Sequence, residues 1–154
     1  MPPLATHVLD GTAIELISAW ITNGLAGYQS FADWQTNYFG SINAPEAAAS
    51  ADADQDGAVN YLEFLTGTNP KMAGDAWGIG IRRNGGLVEL FYPRIANRGF
   101  EVQFTTDLNN ANSWQPLDVA ENKPWFSATN GPASIPILLN NSATMFYRVK
   151  VSEP

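Results

Sequence analysis

An α+β fold is predicted by this sequence: helices around a single acidic loop, followed by a small antiparallel β-sandwich. Three observations carry that prediction. Apolar residues recur at helical spacing up to about residue 66, and at period two from Trp77 onward. Between the two regimes lies an acidic run, D-A-D-Q-D-G-A-V-N-Y-L-E, over residues 52–63. The chain has 154 residues, which suits one domain with an appendage or two small ones. The pattern changes divide it into residues 1–26, 27–72 and 75–154.

The first periodic stretch is T-A-I-E-L-I-S-A-W-I-T, residues 12–22, and Asn23-Gly24 stops it. Thr12 and Glu15 have capping-box spacing, and Ile14, Ile17 and Ile21, flanked by Leu16 and Trp20, form an apolar face. With the preceding Met1-Pro2-Pro3, this segment resembles the closing turn and last helix of a c-type cytochrome domain. That resemblance would make Met1 an axial ligand, but the Cys-x-x-Cys-His attachment site is missing and no haem site carries over. Residues 1–26 are then either the tail of an upstream domain or an ordinary packing helix. His7, the single histidine, is expected to be a surface or hydrogen-bonded residue.

A second helix is expected after Ser30, a good N-cap with Asp33 at the third helical position. Phe31, Trp34 and Tyr38 share its face and should pack on Phe64 and Leu65. Pro45 opens a short helix leading into the acidic loop, and a brief helix over residues 61–66 leaves it, ended by Gly67.

The loop itself has a full calcium-binding spacing. Carboxylates stand at positions one, three, five and twelve, as Asp52, Asp54, Asp56 and Glu63, with Gly57 at position six. Ca²⁺ takes six to eight hard oxygens, and this spacing brings them to one point. Ala58 would offer its backbone carbonyl, Asn60 its side chain directly or through water, and Glu63 two oxygens. Val59 is expected to anchor the loop by its apolar side chain. The spacing resembles an EF-hand. With the continuation N-Y-L-E-F-L-T-G-T-N-P (residues 60–70) it is closer to dockerins and to Asp-rich loops near the ends of large exported proteins of Verrucomicrobia and Planctomycetes. A dockerin carries two such loops, whereas this chain shows one.

From Trp77 the period-two runs predict six strands, over residues 79–83, 87–92, 100–104, 114–117, 134–139 and 145–151. Asn84-Gly85-Gly86 marks a hairpin. Phe100, Val102 and Phe104 are expected to point inward, and Glu101 and Gln103 outward. The motifs F-E-V-Q-F-T-T-D-L, Trp114 and F-Y-R-V-K-V resemble β-sandwich modules that end verrucomicrobial secreted proteins, which implies an accessory domain.

Composition narrows the chemistry. The net charge of −7 with 8 Lys and Arg argues against a nucleic-acid partner. The absence of cysteine excludes disulfides, thiolate zinc sites and cysteine nucleophiles. No apolar run reaches membrane-spanning length, so no membrane partner is expected. No nucleophile–base pair or phosphate loop is found, and Glu89 and Glu101 read as ordinary surface charges, so no enzyme is expected.

The leading expectation is a non-catalytic, calcium-stabilised C-terminal accessory module of a larger exported bacterial protein. It would be secreted, periplasmic or at the cell surface, with its signal peptide outside this chain. Two alternatives are a carbohydrate-binding module using Trp125 and Phe126, and a dockerin-like module that docks a partner protein.

Overall fold

The computed structural model describes residues 11–24, 28–85, 87–123, 129–137 and 144–153. Three helices come first: α1 (Gly11–Gly24), α2 (Phe31–Phe39) and α3 (Asn60–Thr66), with a 3₁₀ turn at Pro45–Ala47. Six strands follow: β1 (Gly80–Asn84), β2 (Leu87–Arg94), β3 (Gly99–Thr105), β4 (Gln115–Pro116), β5 (Gly131–Ile137) and β6 (Phe146–Ser152). The chain is α+β, with two antiparallel three-stranded sheets ordered β1-β2-β5 and β4-β3-β6.

Alternation builds the core between these sheets. Leu90 and Tyr92 of β2 and Ala133, Ile135 and Ile137 of β5 meet Phe100 and Val102 of β3 in one buried cluster. Trp77 leans on it, with its ring 5.8 Å from Tyr92 and its indole N–H donating to the Pro93 carbonyl at 2.9 Å. The expected alternation fails at one point on β3. Gln103 is buried and Phe104 only half-buried. Gln103 Oε1 accepts from Arg148 Nε and Nη2 at 2.9 and 2.8 Å, and its Nε2 donates to Glu101, so the amide is satisfied where it lies.

The helical segment has its own aromatic core. Ser30 caps α2 as its spacing predicts, accepting from the Asp33 N–H at 3.2 Å. Trp34, Phe64 and Leu65 are buried together, with Phe31, Tyr38, Phe39 and Val151 against them. Val151 belongs to β6, so this second core abuts the sheets. Arg98, nearly buried before β3, stacks its guanidinium 4.2 Å from the Phe64 ring centre, and Glu153 accepts from Tyr61 and Tyr28 at 2.6 and 3.0 Å. These contacts fix α3 to the sheet half.

Two local expectations fail. The first helix already runs at Gly11, so Thr12 lies inside it instead of capping it. Its Ile14, Leu16 and Ile17 are exposed, so that part of the apolar face is not packed on the described residues. Val59 is also exposed. It holds the N-cap position of α3, where its carbonyl accepts from Leu62 and Glu63 at 2.8 and 3.1 Å. Its backbone makes that contact, while its side chain stays 39% exposed.

Candidate metal centre

The loop is shaped by its own backbone N–H groups, which donate to its aspartate side chains. Asp52 Oδ1 accepts from the Gln55 N–H at 2.7 Å and Oδ2 from the Gly57 N–H at 3.0 Å. Asp54 Oδ1 accepts from Asp56 N–H at 3.2 Å, and Asp56 Oδ1 from Ala58 N–H at 2.7 Å. Gln55 and Gly57 take φ of 64° and 97°, and the left-handed turn at Gly57 is one that glycine adopts without strain. The chain therefore folds its three aspartates inward. One oxygen from each of Asp52, Asp54 and Asp56 lies within 4.8 Å of the others.

Asn60 and Glu63 close the loop from α3. The helix is docked by Asn60 N–H and Tyr61 N–H donating to the Ala51 and Ala49 carbonyls at 2.8 and 3.1 Å. Asn60 is fully buried, and its Nδ2 donates to the carbonyls of Glu46 and Ala48 at 2.7 and 2.9 Å. The side chain expected as a ligand is thus also a strut that ties the 3₁₀ turn to α3. Glu63 is 1% exposed. Burial, then Asp54, Asp56, Asp52 and Asp75, push its carboxyl from the ordinary 4.5 up to about 7.

Hydrogen-bond accounting marks this site out. The buried side-chain atoms without a partner, among the described residues, are Asp54 Oδ2, Asn60 Oδ1, both Glu63 oxygens and Arg98 Nε. All but the last are acceptors of one loop. A buried acceptor without a donor costs about 1–3 kcal/mol, more when charged, so these oxygens together form a place that could hold a cation or a proton. Oxygen-only donors of this kind suit a hard cation such as Ca²⁺ or Mg²⁺.

The predicted ligands are therefore placed as follows. Asp52, Asp54 and Asp56 converge; Glu63 is not in their close cluster but is buried beside it and electrostatically coupled to all three. Asn60 presents an orphaned oxygen, and Ala58 contributes an N–H to Asp56. Trp125 and Phe126, offered from sequence as a sugar platform, lie outside the described residues, as do Met1 and His7. The sequence reading missed Asp75, which adds to the field on Glu63 while its Oδ2 accepts from Asn69 N–H at 3.0 Å. Only the return of the chain after Pro70 brings it near. No family model, curated protein or solved structure matches this chain.

Proposed function

We propose that residues 52–63 bind one calcium ion and that the chain is a non-catalytic accessory module in which that ion acts structurally. The observation that carries this reading is the set of buried, donorless oxygens on Asp54, Asn60 and Glu63. Asp52, Asp54 and Asp56 add converging carboxylates, and Ala58 would contribute its backbone carbonyl. When bound, the cation supplies the positive charge that lets these groups stay ionised and close together.

Its effect would reach the sheets through α3. That helix carries Glu63 on the loop side, Phe64 under Arg98 and Tyr61 against Glu153. Fixing Glu63 therefore fixes the element that joins the helical and sheet halves. From the resemblance noted above, we propose that such a module belongs to an exported bacterial protein, where calcium is abundant.

Thermal unfolding tests the reading. Calcium at about a hundred times its dissociation constant should stabilise the chain by about 2.7 kcal/mol relative to excess chelator. Glu63→Ala should remove most of that difference. An equal calcium shift in the mutant would place the site elsewhere.

A further inference from the structure

The outer face of the first sheet carries an arrangement that neither the core nor the calcium loop uses. The register sets Gly80, Phe91 and Ser134 in one row across β1, β2 and β5, and Arg82, Glu89 and Pro136 in the next. Phe91 is 39% exposed although its neighbours Leu90 and Tyr92 are core residues. Its ring leans over β1, because Gly80 offers no side chain: a Cβ there would lie 2.1 Å from Phe91 Cζ. A flat aromatic surface is thus held against the sheet and still meets solvent.

Beside it stands a polar cluster with fixed geometry. Glu89 Oε2 accepts from Arg82 Nε at 3.0 Å and from Ser134 Oγ at 2.9 Å, and Oε1 accepts from Asn84 Nδ2 at 3.1 Å. Arg82 Nη2 also donates to Ser134 Oγ at 3.2 Å, and its guanidinium lies 5.3 Å from the Phe91 ring centre. These partners hold the Glu89 carboxyl below its usual range, Asn84 and Ser134 first and Arg82 after them. Glu89 was expected to be an ordinary surface charge; cross-strand register makes it the centre of a network. A cavity of about 360 Å³ opens along this face beside Glu89; its lining includes Gly78, Arg82, Phe91, Pro93, Pro132 and Ser134.

We infer that this face is a binding site for a neutral saccharide. The C–H face of a sugar ring carries partial positive charge and stacks on the negative face of an aromatic ring. Adjacent hydroxyls match the Arg82–Glu89 pair, one accepting from the guanidinium and its neighbour donating to the carboxylate. The pairing of Arg82 with Glu89 leaves the cluster without a free positive charge, and the chain carries −7 overall, so an anionic polymer is disfavoured. A few oriented polar groups beside an apolar surface in a pocket of this size are the usual composition of a small-ligand site.

The test is affinity electrophoresis of the whole chain, in calcium, through gels containing xylan, hydroxyethylcellulose, galactomannan or polygalacturonate. Retardation by at least one neutral polymer is expected, with affinity about tenfold or more weaker in Phe91→Ala and in Glu89→Gln. Ile81→Ala, at an exposed position on the opposite face of β1, should leave it unchanged. Glu89→Gln keeps the side-chain shape and decides the matter if Phe91→Ala fails to fold. No retardation by any neutral polymer overturns the inference. So does retardation by polygalacturonate alone, or full retention by Glu89→Gln. The calcium reading does not depend on any of these outcomes, since the two sites share no residue.

Discussion

Replacing Glu63 by Gln should have opposite effects with and without calcium. In the metal-free protein this carboxylate is buried among Asp54, Asp56, Asp52 and Asp75, and its pKa stands at about 7 instead of 4.5. Each unit of pKa shift is about 1.4 kcal/mol, so above pH 8 the charged side chain costs the folded state on the order of 3 kcal/mol. Gln keeps the shape, removes the charge and brings amide donors to a region of orphaned acceptors. In excess chelator at pH 8 the mutant should therefore be more stable than the parent, by about 1–3 kcal/mol. For a chain of this size that is a rise in melting temperature of several degrees. In calcium the order should reverse, because the mutant would lose the charged ligand proposed at Glu63. The assay is thermal or urea unfolding of both proteins under both conditions. A Glu63→Gln protein less stable than the parent in chelator would refute the electrostatic account. A full calcium response in that mutant would refute the assignment of Glu63 as a ligand.

Three further outcomes follow from the same contacts. For the chelated parent protein, the raised Glu63 pKa means the folded state binds more protons than the unfolded state between about pH 4.5 and 7. Its contribution to stability should fall as pH rises through that window, and calcium should bind more tightly toward its upper end; melting curves and calcium titrations across pH check both signs. Asn60→Ala removes two donors from the carbonyls of Glu46 and Ala48, and should cost about 1–3 kcal/mol even in chelator, read by urea unfolding. Asn122→Ala should cost about 2–3 kcal/mol without changing the calcium response. Buried Asn122 accepts from Val102 N–H at 2.6 Å and donates to the Val102 and Leu117 carbonyls at 2.7 Å, binding the chain after β4 to β3.

The sequence by itself determined the α+β order, the Ser30 cap, the aromatic face of α2 and the strand positions to within a few residues. Each of these depends on neighbours a few positions apart, where period, capping chemistry and turn residues act directly. The convergence of Asp52, Asp54 and Asp56 was legible for the same reason, since alternate residues of one tight loop supply it. What lay beyond the sequence depends on segments that meet only in the folded chain. Val59 looked like an apolar anchor, yet α3 is held to the loop by Asn60, whose partners lie more than ten residues earlier. Gln103 was expected to face solvent, and Arg148 on the neighbouring strand satisfies it in a buried position. Glu89 and Phe91 read as a surface charge and a strand residue until register set them beside Arg82, Ser134 and Gly80. Local pattern assigns a residue to a face of its element. Only tertiary structure decides what stands opposite that face, and that partner determines whether a buried polar group is a cost, a strut or a ligand.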